Sequence, residues 1–273
     1  MEFSCLRYSK TDGVATIVKD NPTGLPTSRG GMTAGVLEEM PVAFADAVAD
    51  PEVLAIVLTT PDNVVHHGGI VGGDLFPDGI FNAIEYMQII EAGQRLCQLT
   101  ETIEKPVIGV VKTGALGGGL EHLLSCDFVI AADEATFTFP EVTYGMAVGW
   151  GAAWRLPRAI GWMRAKELTL LAETVDGREA ARLGIVTKAV PAEEVDAAVD
   201  AIVARLRSCS PAGIAFTKVG MAKSWSAPQH GGMGGDWEPS ALAASSNDFN
   251  EALAAMREQR LPRFRPMRRL LRR

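Results

Sequence analysis

Four short runs of β-branched and other apolar residues, punctuated by turn signals and glycines, limit what this chain can fold into. Residues 14–20 (Val-Ala-Thr-Ile-Val-Lys-Asp) and 54–60 (Leu-Ala-Ile-Val-Leu-Thr-Thr) end at Asn-Pro and Pro-Asp and read as strands. Pro106 to Val111 and Phe128 to Ala132 read as two further buried strands, separated by a glycine-rich turn that leads into a short helix. Residues 33–49, between the first two runs, carry apolar side chains at helical spacing. This alternation predicts an α/β domain whose strands are covered by helices.

From about residue 150 strand signals thin out, and segments near 161–172, 177–184, 192–208, 211–222 and 239–259 read as helices. Asp176 with Glu179 resembles a capping box, and Ser210-Pro211 sets a cap before a proline at the first helical position. Residues 224–238, rich in Gly, Pro and Ser, read as a loop. The expected organisation is a core over residues 1–199 followed by a helical region and basic tail over 200–273. No repeat of fixed period is visible.

At 273 residues, 47 % hydrophobic and 22 % charged, the chain can bury a substantial core and has ordinary globular composition. Cys5, Cys97, Cys126 and Cys209 are scattered, which gives no support to a disulfide framework or a metal site and makes a reducing cytoplasm the expected setting. The N-terminal sequence lacks the pattern of a signal peptide, and no uncharged apolar run approaches the ~18 residues of a membrane span. The net charge of −7 conceals an asymmetry: residues 257–273 hold eight arginines and one glutamate, +7, which leaves −14 on the rest. Such a tail is either a solvated end or a patch for phosphate groups.

Gly117-Gly118-Gly119 follows the strand at 107–111 and opens a helix, so bare backbone N–H groups there suit a phosphate or a developing oxyanion. The glycines are not followed by Lys-Ser/Thr, and their spacing is not that of a dinucleotide fingerprint. A tight packing turn explains them equally well. A second glycine-rich turn, residues 68–75, follows the strand that ends at Thr60; two such turns facing one cleft would polarise a thioester carbonyl between them. Glu121 sits near the first turn of the helix and Glu141 follows Phe137-Thr138-Phe139-Pro140. Taken singly, each is an ordinary solvated glutamate; taken together with the glycine turns, they form a plausible acid/base couple. The adjacent His66 and His67 read as a solvent-facing loop rather than a metal site, and His122 as structural.

Several motifs in this order resemble the crotonase (enoyl-CoA hydratase/isomerase) family. They are Ile70-Val71-Gly72-Gly73-Asp74-Leu75, Lys105-Pro106-Val107-Ile108, Ala115-Leu116-Gly117-Gly118-Gly119-Leu120-Glu121, Pro140-Glu141, Gly149-Trp150-Gly151 and Arg260-Leu261-Pro262-Arg263-Phe264. The resemblance implies a crotonase-like spiral of ββα units with a helical C-terminal region, assembled as a homotrimer or hexamer. It implies hydration of an enoyl-CoA thioester, with coenzyme A as part of the substrate and no other cofactor and no metal. By motif position the oxyanion-hole donors are the N–H groups of Val71 and Gly118, and Glu121 and Glu141 are the catalytic pair. Glu141 would give the proton to C2, and Glu121 would position and deprotonate the water. Gly72, Asp74, Leu75, Gly117, Gly149 and Trp150 would surround the substrate, with Asp74 also suited to capping the next helix. Where the family has an R-P-x-x-x-N-A-L segment for the nucleotide of coenzyme A, Asn21-Pro22 here leads instead into a longer stretch to Arg29-Gly30-Gly31-Met32. Alternatives are a double-bond isomerase or other acyl-CoA enzyme of this type, and a non-catalytic acyl-CoA- or RNA-binding protein.

Overall fold

In a computed structural model, residues 2–20, 29–68, 83–144, 146–226, 247, 251, 254–255 and 258–264 are described. Asp12 and Gly13, both at positive φ, turn strand β1 (Leu6–Thr11) back into β2 (Val14–Lys19) as an antiparallel hairpin. Strands β3 (Ala55–Thr59), β4 (Val107–Val111), β6 (Phe128–Ala132) and β9 (Lys188–Val190) then add in parallel, giving a sheet in the order β1-β2-β3-β4-β6-β9. Parallel neighbours require crossovers. Helices α1 (Ala34–Ala49), α2 (Ala83–Thr102) and α3 (Gly118–Leu123) lie in three of them. A smaller sheet, β5-β7-β8, is built from β5 (Gly114–Leu116), β7 (Thr136–Thr138) and β8 (Val175–Asp176).

The strand pattern explains the layering. In β2 every second residue is buried, whereas all five residues of β4 are, as expected for a central strand covered on both faces. One core packs Ile17, Ile56 and Leu58 against Val36, Met40 and Phe44 of α1 and Leu96 of α2. Each of these large side chains contributes about 1.5–3 kcal/mol by leaving water. The other core joins β4 and β6 to α4 (Ala152–Ile160), α5 (Trp162–Leu170), α6 (Gly177–Leu183) and α7 (Val195–Arg207). Helix α8 (Pro211–Ser226) follows α7.

The four expected strands are all present, with ends moved by a residue or two. Asp176 caps α6 through Glu179 N–H at 2.8 Å, but the Glu179 carboxylate pairs with Arg182 instead of closing a capping box. Ser210 Oγ accepts from Gly213 N–H at 2.9 Å at the start of α8. That helix runs through residues 224–226, the expected start of a loop, and the remainder of that loop, 227–238, lies outside the described residues. Helix α7 crosses residues 199 and 200, where the core was expected to end, and buries Val199 and Val203.

Lys19 is the inward-facing last residue of β2 and has no exposed surface. Its Nζ donates to Met32 Sδ at 3.5 Å, a weak acceptor. Burial pushes the amine down to about 7, with Cys97 and Cys126 opposing slightly. Buried His66 and His122 feel its charge in turn. Because the folded value lies below the unfolded value of 10.5, the penalty is complete below about pH 7 and fades as pH rises from there toward 10.5. Urea unfolding should therefore show wild-type stability rising across that window. Lys19→Met should flatten the rise and gain about 1–3 kcal/mol at neutral pH; a variant less stable than wild type would contradict this account.

Candidate active site

The triple glycine of α3 is explained by what lies against it. A Cβ on Gly117 would sit 2.8 Å from Glu141 Oε1, and one on Gly119 would sit 2.4 Å from His67 N. At Gly118 a Cβ would meet the Trp150 ring at 2.9 Å and Gly68 Cα at 3.2 Å. Three neighbouring segments thus converge on one helix start. As the first residue of α3, Gly118 has an N–H without an acceptor inside its own helix.

His66 corrects the reading of this region as solvent-facing. Residue 66 forms a parallel bridge with Ala115, which carries the side chain inward, and Nε2 lies 2.8 Å from Val110 O. The ring has no exposed surface, and burial pushes its pKa down. His67 is partly exposed, with Nε2 3.1 Å from Arg29 O. His122 is buried, facing Thr100 Oγ1 at 2.9 Å, as a structural histidine would be. Among the described residues no group of three His, Cys, Asp or Glu side chains is placed to hold a metal ion.

Glu121 is 2 % exposed. Its Oε1 accepts from the N–H groups of Trp150 and Ala152, both at 2.9 Å, and Oε2 from Gly149 N–H at 3.3 Å. Burial raises its pKa, while these three donors and the positive charge of Arg155 favour the anion. Glu141 opens a 3₁₀ turn, Glu141–Tyr144, after Pro140 and is 8 % exposed. Its Oε2 has no hydrogen-bond partner, and burial pushes its carboxyl up to about 7, with the charge of Glu121 adding to the rise.

Both glutamates line one cavity of about 40 Å³, together with Gly68, Ile90, Leu116, Gly117, Gly118, Pro140, Tyr144, Met146, Ala147, Gly149 and Trp150. That space holds a water molecule or two. Two acidic groups twenty positions apart, both raised in pKa by burial and one of them met by three backbone N–H donors, therefore face the same water-sized space.

The sequence profile of the enoyl-CoA hydratase/isomerase family matches residues 10–266. The chain belongs to this family. It is 29 % identical over 260 residues to the short-chain enoyl-CoA hydratase of Clostridium acetobutylicum, covering 95 % of this chain and 97 % of that protein. To the crotonyl-CoA hydratase of Syntrophomonas wolfei it is 30 % identical over 239 residues, 88 % and 91 % of the two chains. The crystal structure of an enoyl-CoA hydratase from Bacillus anthracis superposes with a TM-score of 0.86 at 24 % identity, over 96 % of this chain and all of that one. The fold is the crotonase spiral of ββα units with a helical C-terminal region.

Of the expected site residues, Gly117, Gly118, Glu121, Glu141, Gly149 and Trp150 all line the cavity. Val71, Gly72, Asp74 and Leu75 lie outside the described residues. Phe264 lines a separate cavity of about 340 Å³ that shares no residue with the first. Sequence reasoning passed over Ile90, Tyr144, Met146 and Ala147, which carry no chemical signal, and Arg155, whose arginine inside an amphipathic helix looks like a solvated charge.

Trp150, 3 % exposed, fits only because Gly93 of α2 leaves room: a Cβ there would lie 2.1 Å from the indole. Gly93→Ala should shift the indole emission and lower the urea midpoint by about 1–3 kcal/mol equivalent, and an unchanged midpoint would refute the contact.

Proposed function

We propose that this family member is an enoyl-CoA hydratase, adding water across the α,β double bond of an enoyl-CoA thioester. The observation that carries the reading is the placement of Glu121 and Glu141, both buried, on one water-sized cavity beside the first N–H of α3. Close relatives named as hydratases give independent support.

In this reading the N–H groups of Gly118 and Val71 receive the thioester carbonyl, and each donor of this kind contributes ~3 kcal/mol to the transition state. Support for the pairing comes from Gly68, three residues before Val71, which packs directly on Gly118. A water between the carboxylates loses a proton to Glu121 as its oxygen bonds to C3. The π electrons of the double bond move onto the carbonyl oxygen as an enolate, which collapses and takes a proton at C2 from Glu141. Proton transfer from Glu121 back to Glu141 resets the pair. A carboxyl raised to about 7 is suited to hold the C2 proton near neutral pH. Gly117, Gly149 and Trp150, with Gly72, Asp74 and Leu75, are the proposed substrate contacts. The only cofactor-like group required is the coenzyme A of the substrate itself.

We also place the enzyme in the cytoplasm as a homotrimer or hexamer. All four cysteines are free, and among the described residues no helix is long and apolar enough to cross a membrane. Val142 and Tyr144 of the 3₁₀ turn and Trp162, Met163 and Leu170 of α5 are large, mostly apolar side chains left exposed, a surface suited to subunit contacts. Nucleic-acid binding is less well supported, since Arg260 pairs with Glu251, which also accepts the Arg263 N–H.

Incubation with crotonyl-CoA and longer enoyl-CoA esters should show loss of the conjugated absorbance. Glu121→Gln and Glu141→Gln should each lower kcat at least ~10²-fold; a Glu121→Gln enzyme that keeps its turnover would point to a single-base isomerase, and no hydration by wild type would end the proposal. Because Glu141 must be protonated to act, kcat/KM should fall as pH rises through about 7. A profile flat from about pH 6 to 9 would contradict the role of Glu141.

A further inference from the structure

The turn that grips Glu121 is itself held from behind. Arg155, in the first half of α4, is 9 % exposed and forms a two-pronged ion pair with Glu101 near the end of α2: Nε to Oε1 at 2.5 Å and Nη2 to Oε2 at 2.8 Å. Its third arm, Nη1, donates to Trp150 O at 2.9 Å. The peptide on either side of Trp150 is therefore fixed in opposite directions, its N–H to Glu121 and its carbonyl to Arg155. Gly151, at φ 115°, lets the guanidinium come this close, because a Cβ there would lie 1.9 Å from Nη1. The six hydrogen bonds of this assembly, three to Glu121 and three from Arg155, need α2, α3, α4 and the turn before α4 to be placed together.

A buried ion pair is a poor device for stability alone, since apolar residues of similar shape often serve as well or better. The planar fork does what an apolar side chain cannot: it sets the distance and tilt of a backbone segment. We propose that Arg155, clamped by Glu101, is a positioning residue that holds the turn of residues 149–152 where its N–H groups keep the Glu121 carboxylate aimed at the water. That the carboxylate is aimed at a water rests on the hydratase reading, but the gripping of the carboxylate is independent of it. Arg155 does not line the cavity that the two glutamates share. It acts through the turn, and the same charge favours the anionic form of Glu121.

The test uses Arg155→Lys, which keeps charge but loses the fork, Arg155→Met, which loses both, and Glu101→Gln, which weakens the clamp. Each is purified, its folded fraction is measured by urea unfolding, and kcat and KM are reported per folded molecule. The titration of Glu121 is followed by carboxyl ¹³C NMR, with the resonance assigned by its loss in Glu121→Gln. Arg155→Lys and Glu101→Gln should lower kcat about 10- to 100-fold with KM changed less than about twofold. The Glu121 midpoint should rise in Arg155→Lys and most in Arg155→Met. Folded variants with wild-type kcat and an unmoved midpoint, or losses that follow only the folded fraction, would overturn the proposal. If wild type hydrates no enoyl-CoA, the hydratase reading falls by itself, and the NMR midpoints still decide whether Arg155 positions the carboxylate. Should Arg155→Met not fold, the other two variants carry the decision.

Discussion

Three backbone N–H groups from residues 149, 150 and 152 meet the carboxylate of Glu121, which has almost no contact with solvent. An ionised carboxylate taken out of water without such donors costs several kcal/mol, or else takes up a proton and changes its chemistry. The gripping turn must therefore lie at a fixed height above α3, and much of the surrounding architecture serves that distance. Gly93 and Gly118 make room for the Trp150 indole, Gly151 admits Arg155, and Arg155 reaches across to α2. Glu141, with an unpartnered oxygen, lacks this support, so the two acids are held differently although they share a cavity.

The parts of the fold legible in the sequence were those written by local rules. Runs such as Leu-Ala-Ile-Val-Leu and Phe-Val-Ile-Ala-Ala are strands because they are apolar, β-branched and bounded by turn residues. Asp176 and Ser210 cap helices because their side-chain oxygens reach an N–H three residues on. Strands β5, β7 and β8, two or three residues each, carry no periodicity long enough to read and exist through pairing with one another. Helix α2 escaped notice because its polar residues obscure the buried positions around Leu96, Cys97 and Thr100.

For the site, the glutamates and glycines could be read because chemistry restricts which residue types serve there, and family motifs supplied the pairing. What holds the glutamates could not be read this way. Gly149, Trp150 and Ala152 act through main-chain atoms, which leave no trace in residue identity. Glu101 and Arg155, 54 positions apart, become partners only once α2 and α4 are stacked on the same core. His66 was misjudged for a related reason: a histidine beside a histidine looks solvated until a strand bridge turns one of them inward.

Lys19 has a consequence of another kind. An amine that carries its proton in the unfolded chain and sheds much of it once enclosed makes folding above about pH 7 a proton-releasing reaction. The heat of unfolding then includes the ionisation heat of whatever buffer supplies the returning proton. Calorimetric enthalpies for this protein would differ between a phosphate and an amine buffer at the same pH, even with an identical native structure.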